Sequence, residues 1–306
     1  MMERDFRGYR NCPPNVKWPN DSSVAVSIVV NVEEGAELSL VDGDERNESV
    51  YEIREEVVGS PDLCMASHFA YGTRAGYWRI LEVFSDFGIP ATFSCCGRVA
   101  GRSGWLVQDA VENGHEVSCH GWRWEAQAGM DEKYEREVIS RTYAKIAQQS
   151  VTPPVGWHTR SASSPNTRRL LMEHGGFLYD SDAYDDDIPY IIENNGQTHV
   201  VLPYAFDTND MRFQPGGGFV HGDDFSRYCL AAYDQLLEEG RKFPRMLSIG
   251  VHLRIIGRAG RIAALKNLID GINKRGGHWF ATRRSIAEYW RAAIGLPLWR
   301  AKDQRL

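Results

Sequence analysis

Strand-length apolar runs alternating with amphipathic helices along the whole chain predict an α/β fold, a closed or nearly closed (β/α) barrel of seven or eight units. Three observations carry this. The apolar runs are short and β-branched, as in strands buried on both faces of a parallel sheet. A helical pattern separates most successive runs, which is the connection that parallel strands need. No G-x-G-x-x-G or phosphate-cradling loop follows the first run, which argues against an open nucleotide-binding sheet. At 306 residues the chain is long enough for such a barrel, which takes roughly 250 residues.

The first strand is VAVSIVVN, Val24–Asn31, set between Asp21-Ser22-Ser23 and Glu33-Glu34-Gly35. The stretch 36–65 that follows is acidic, polar and poorly patterned; it reads as an excursion, a candidate lid or oligomer contact. Trp78, Ile80, Leu81, Phe84 and Phe87 at helical spacing predict a helix over 75–87, with Gly88 as its C-terminal cap. ATFSCC is the second strand. A short helix over 105–112 leads through Asn113-Gly114 into HEVSCH, the third. A long polar helix is expected over 131–149, then VGWH as a strand. Ser164-Pro165 predicts an N-cap with proline at the first helical position, and Gly175-Gly176 ends that helix. FLYD, HVVLPY, RMLSIGVH and HWFA are the remaining strands, with helices over 223–239, 259–274 and 285–293. Residues 179–190, YDSDAYDDDIPY, read as a dense polar loop. The expected domain division is an N-terminal extension over 1–22, a single barrel over 23–295 and a tail over 296–306. The extension, with Pro13-Pro14 and Trp18, has no evident core role and is a candidate contact with a neighbouring subunit.

Lys and Arg number 35 against 41 Asp and Glu, a net charge of -6, which argues against nucleic acid or an anionic membrane as the main partner. The first twenty residues lack the apolar segment of a secretory signal, and no run approaches the roughly 20 apolar residues of a membrane span. The six cysteines form no C-x-x-C pair. A cytoplasmic protein with reduced, mostly buried thiols is the expectation.

In a parallel barrel, functional groups gather at the C-terminal ends of strands. There the sequence places Asn31, Glu33 and Glu34; His120; His158, Thr159 and Arg160; Asp207, Asn209 and Asp210; and His252 with Arg254. Carboxylates, imidazoles and guanidiniums facing one mouth suit hydrolysis, in which a carboxylate activates water and an imidazole protonates the leaving group. Each also has a plainer reading. Glu33-Glu34 suits a solvated turn, a strand-end histidine suits a structural role, Asp185–Asp187 suit a solvated loop, and Trp122 and Trp124 suit a barrel roof. Spacing alone therefore stops at an α/β hydrolytic enzyme.

The segments NVEEG, GHEVSCHGWRW, PPVGWHTR, DTND and SIGVH, in that order, resemble the NodB-type polysaccharide deacetylases, a distorted (β/α) barrel family; the resemblance runs from about Tyr9 to Trp290. That family's paired acids, one a base and one a metal ligand, match Glu33 and Glu34. The first ligand of its His-x-x-x-His motif matches His120, the second falls on Trp124, and its general-acid histidine matches His252. Indole has no in-plane lone pair for a metal. Glu34 and His120 alone make two ligands, where a catalytic zinc keeps three. His115 lies an odd number of residues from His120 and so on the opposite face of its strand, whereas His158 remains open as a ligand from a neighbouring strand.

The glutamate pair, HGWRW and GWHTR, with YGTRAGYWR, PNTRRLLMEHGGFLYDSD, LPYAFDTNDMRF and MLSIGVHLRIIGR, are similar to the PuuE-type allantoinases, a metal-independent branch that opens a cyclic ureide ring. The resemblance implies a hydrolase that opens a C–N bond, most closely allantoin to allantoate, with Glu33 as general base and His252 as general acid. Arg160, His120 and backbone N–H groups after a strand are candidate oxyanion donors. Trp124 and Trp157 are candidate walls, Asn209 and Arg254 candidate edges, and Glu34 a group that bonds ureide N–H or orients His120. No cofactor is expected; a zinc, if held, would sit on Glu34 and His120. The expected partner is a small cyclic ureide or imide, with no nucleic acid and no membrane, in a homo-oligomer, dimer or tetramer, as family members form multimers. The alternatives are a metal-dependent polysaccharide or peptidoglycan N-deacetylase, a cyclic imide hydrolase, and a ligand-binding barrel without turnover.

Overall fold

The first apolar run forms β1 (Val24–Val32), buried at every position. The computed structural model describes residues 6, 8–9, 12–50, 53, 55–160, 162–214 and 216–302; the rest of the expected extension and the end of the tail lie outside them. From β1 the chain runs through α1 (Leu63–Tyr71), a π-helical segment (Gly72–Gly76) and α2 (Tyr77–Phe87) to β2 (Thr92–Cys95). Next come α3 (Gly97–Arg102), α4 (Gly104–Glu112) and β3 (Glu116–Cys119), then α5 (Glu132–Gln149) and β4 (Gly156–Trp157), then α6 (Thr167–His174) and β5 (Tyr179–Asp180). A hairpin of β6 (Tyr190–Asn194) and β7 (Gln197–Val201) precedes α7 (Gly222–Gly240), β8 (Arg245–His252), α8 (Ile262–Arg275), β9 (His278–Phe280) and α9 (Arg283–Ala293).

The strands form one curled sheet in the order β6-β7-β5-β4-β3-β2-β1-β8, parallel except between β6 and β7. One edge of β1 pairs with β8 from Val24 to Asn31. The other edge is shared, with β9 beside Val24–Val26 and β2 beside Val29–Val32. This wedge makes the barrel a distorted one. Among the described residues no strand pairs with the outer edge of β8 to complete the circle. Instead Gly250 N–H donates to the Thr208 carbonyl at 3.0 Å, and the Thr208 hydroxyl to the Ser248 carbonyl at 2.5 Å. The buried Arg283 guanidinium spans the same gap, donating to Ser181 Oγ at 2.8 Å, Ser248 Oγ at 3.0 Å and the Pro203 carbonyl at 3.0 Å.

The period of two along each strand sorts side chains between the helix layer and the barrel interior. In β1 the even positions Val24, Val26, Ile28, Val30 and Val32 join the main apolar core. The odd positions Ser27, Val29 and Asn31 face inward and lead to Glu33. In β8, Leu247, Ile249 and Val251 face the helices, so Ser248, Gly250 and His252 face in. The same alternation sends Trp157 outward into the core and His158 inward.

Several expectations change. The hairpin β6–β7 lies where the sequence reading placed only one strand; Asn195-Gly196, with φ of 50° and 73°, is the turn signal that marks it. Helix α1 emerges at the end of the polar excursion, where Asp62 accepts from Met65 N–H at 2.8 Å as its N-cap. The first part of the excursion is held by ion pairs: Asp42 pairs with Arg98 and Arg102, and Asp44 with Arg123. Helix α6 starts at Thr167, later than expected, because the Ser164 hydroxyl accepts from Asn166 and Thr167 N–H and holds Pro165 in a turn. The extension does have a core role. Trp18 is buried, its ring 5.5 Å from Trp290 and 5.8 Å from Trp279, and its indole N–H donates to the Arg245 carbonyl at 2.8 Å. Four of the six cysteines are buried, and none is paired. Among the described residues, no helix is long and apolar enough to cross a membrane.

Candidate active site

At the C-terminal ends of the strands a cavity of about 570 Å³ opens over Glu33, His120, His158 and His252. Glu33 is buried at its foot. Its Oε1 lies 3.4 Å from His120 Nε2 and 3.5 Å from His252 Nε2, and its Oε2 accepts from Arg254 Nη1 at 2.7 Å. Burial alone would raise the Glu33 pKa, but the charges of Arg254 and His252 outweigh it and hold the carboxylate well below its usual range.

His252 ends β8 and is fixed on its far side by Asp210. Asp210 Oδ1 is 2.6 Å from His252 Nδ1, while Oδ2 accepts from the backbone N–H of His252 at 2.8 Å and of Ile256 at 3.0 Å. Burial would lower the His252 pKa, yet the charges of Asp210 and Glu33 overcome it and carry it up to about 10. At neutral pH the site therefore holds an ionised carboxylate facing a protonated imidazole. In the sequence Asp210 is one of several strand-end polar groups; its register with His252 depends on the 203–210 segment closing the barrel, which no local pattern reveals.

His120 ends β3, and its Nδ1 lies 2.7 Å from the His158 carbonyl, so the proton there is its donor. Its other ring nitrogen, Nε2, faces Glu33 Oε1 and the cavity. This carbonyl, not Glu34, orients His120. The rings of His120 and His158 stack at 5.2 Å, and His158 lies against Tyr204 at 4.5 Å. The Tyr204 hydroxyl accepts from Asn31 Nδ2 at 3.1 Å and Asn209 Nδ2 at 3.4 Å, which sets Asn209 in the wall as expected. Tyr204, Phe206, Met211 and Arg212, all from the segment after β7, complete a wall that the sequence reading left largely unassigned.

Glu34 points the other way from Glu33, as adjacent residues in extended chain do, and does not line the cavity. Its Oε2 accepts from Glu33 N–H at 3.0 Å, and its Oε1 has no hydrogen-bond partner among the described residues. Burial, opposed by Arg254 and reinforced by Glu33, raises its pKa to about 7. The π-helical segment lies directly over it: a Cβ on Gly72 would sit 2.3 Å from Glu34 Oε1, and one on Gly76 would sit 2.0 Å from the Leu253 carbonyl oxygen. The glycines of YGTRAGYWR thus let the helix close against the glutamate pair and the turn carrying His252 and Arg254. Gly76→Ala is expected to cost about 1–3 kcal/mol of stability, read as a lower denaturation midpoint in urea; an unchanged midpoint would remove this close approach.

Two other expected site residues are placed differently. Trp157 is fully buried against Phe177, its indole N–H bonded to Thr159 Oγ1 at 3.0 Å, and forms no cavity wall. Arg254 lies beneath Glu33, buried, rather than at a cavity edge. Trp124 and Arg160 do line the cavity. His115 is turned away from the site, against Phe84 and Phe93. Among the described residues no group of three or more His, Cys, Asp or Glu is arranged to hold a metal ion. Glu34 is turned away, Trp124 offers the cavity an indole with no lone pair for a metal, and a guanidinium already occupies the other side of Glu33. This donor set does not fit a metal.

Residues 59–179 match the family model for polysaccharide deacetylase. A protein of Schizosaccharomyces pombe named "Putative polysaccharide deacetylase" is 35% identical over 312 residues, covering 94% of this chain and 97% of that protein. The chain belongs to the polysaccharide deacetylase family. Among solved structures of this family's fold, Puue allantoinase is 41% identical with a TM-score of 0.92, covering 97% of this chain and 100% of that chain. A "probable Polysaccharide deacetylase" from Pseudomonas aeruginosa PAO1 is 40% identical, also with a TM-score of 0.92 and the same coverage.

Proposed function

We propose that the chain hydrolyses a C–N bond of a cyclic ureide, opening allantoin to allantoate without a metal ion. The observation that carries this reading is the pairing, across 3.5 Å, of a carboxylate held ionised and an imidazole held protonated, in a site whose donors form no metal set. The similarity to Puue allantoinase over the whole chain supports the substrate class.

Glu33 takes a proton from water as the water oxygen bonds to the ring carbonyl carbon. His120 Nε2 accepts from the same water and aims it. As the C–N bond breaks, His252 gives its Nε2 proton to the departing ring nitrogen. Arg160, in the cavity wall, donates to the oxyanion, a developing charge that fixed dipoles and charges stabilise best. The low exposure of Glu33 and His252 strengthens each of these interactions.

The test is ring opening of allantoin by protein stripped of metal with chelator. Turnover is expected to persist unchanged at a metal content well below one per chain. Activity that disappears and returns only with zinc would overturn the metal-free part, and release of acetate from N-acetylated glycans in place of ring opening would favour the deacetylase reading.

A further inference from the structure

Trp124 stands in the position that the family's motif gives to a metal ligand, yet it is more than a lost ligand. Its indole lies within cation–π range of two arginines. Arg160 Cζ is 3.4 Å from the ring centroid, and Arg254 Cζ is 5.4 Å. Its backbone carbonyl also accepts from Arg160 Nη1 at 3.0 Å. Phe69 packs edge-on to the same indole at 6.4 Å and presents its own face to Arg254 at 4.4 Å. Each guanidinium has an acidic partner besides: Arg254 bonds Glu33 at 2.7 Å, and Arg160 lies 3.6 Å from the buried Glu48.

We infer that Trp124 is a positioning residue that holds Arg254 against Glu33 and Arg160 in the cavity wall, so that two fixed guanidiniums supply the positive charge a metal would bring. This rests on the proposed ring-opening function for its consequences, but the clamp itself is a matter of geometry. A planar aromatic face suits the task because it holds a cation without taking its hydrogen-bond donors, leaving them for carboxylates or substrate oxygens. Imidazole at this position would offer a smaller face. A dication bound beside Arg254 would meet the repulsion of a buried like charge. The indole and the two arginines thus form one alternative, and a metal the other. The base benefits from this arrangement: Arg254 keeps Glu33 ionised in a buried setting where a lone carboxylate would take up a proton.

The test compares Trp124→Phe and Trp124→Leu with the native chain, by the pH profile of ring opening and by crystal structures of the variants. Trp124→Phe should stay within tenfold of native kcat/KM, since an aromatic face remains. Trp124→Leu should lose on the order of 10² with its fold intact, and its acid limb should move to higher pH as Arg254 loosens from Glu33. In its crystal structure at least one guanidinium should have left its place. Native rate and acid limb in Trp124→Leu, or an equal loss in Trp124→Phe, would overturn the inference. So would a Trp124→Leu crystal structure with both arginines unmoved, whatever the rate. Should the native chain open no ureide ring, the functional proposal fails, and the crystal structures still decide the clamp.

Discussion

Glu33→Gln is expected to lower kcat for ring opening by on the order of 10² or more while leaving the chain folded. The substitution keeps the shape and removes both the proton acceptor and the charge. What remains is Arg254, fully buried and facing a neutral amide in place of the carboxylate it bonded at 2.7 Å. Breaking a buried pair in this way ordinarily costs about 3–5 kcal/mol. Here the next carboxylate is close: Glu34 Oε1 lies 3.9 Å from the same Nη1. The charge of Glu33 is one of the causes that hold the Glu34 pKa up at about 7, so its removal brings Glu34 down and lets it ionise against Arg254. The loss of stability should therefore fall below that range, and it should grow as the pH drops and Glu34 takes its proton. Single-turnover kinetics together with urea unfolding across pH check both halves. A rate within tenfold of native would remove Glu33 as the base.

The strands and most helices were legible because burial on both faces of a parallel sheet demands continuous apolar runs, and β1 and β8 are such runs. Glu33 and His252, the proposed base and acid, stand out in the sequence as strand-end polar groups in a motif order. Less legible was anything set by parity or by distant contact. Trp157 and His158 are adjacent, and only the register of a two-residue strand decides which enters the cavity. Arg254 belongs to the same turn as His252, yet its place beneath Glu33 depends on Phe69 and Trp124, which lie far from it in sequence. The π-helical segment left a trace in the two glycines of YGTRAGYWR, whose meaning emerges only when Glu34 and Leu253 are seen against them. Trp18, read as unattached, is held by Trp279 and Trp290 from the opposite end of the chain.

Asp210→Asn should lower kcat by on the order of 10² to 10⁴, the range expected when an imidazole loses the carboxylate that sets its tautomer and charge. The geometry says why the amide cannot substitute. Oδ2 accepts from two backbone N–H groups, so the amide oxygen of Asn must take that side and its NH₂ must face His252 Nδ1. An NH₂ there donates to Nδ1 and disfavours the imidazolium. The His252 pKa should fall from about 10 towards its ordinary value, with the charge of Glu33 still supporting it. His252 must carry its proton to act as the acid. The native rate should accordingly hold through neutral pH and decline as pH approaches 10, whereas the variant's alkaline limb should appear at lower pH. Stability follows with the same sign. A histidine whose folded pKa is raised contributes stability fully present below its unfolded pKa, near 6.5, and lost as pH rises through the folded value. Native unfolding free energy should thus decrease between about pH 6.5 and 10, and the variant's should decrease less over that interval. A variant whose alkaline limb and whose stability profile both coincide with the native ones would break the link between Asp210 and the charge on His252, and with it the assignment of His252 as the proton donor.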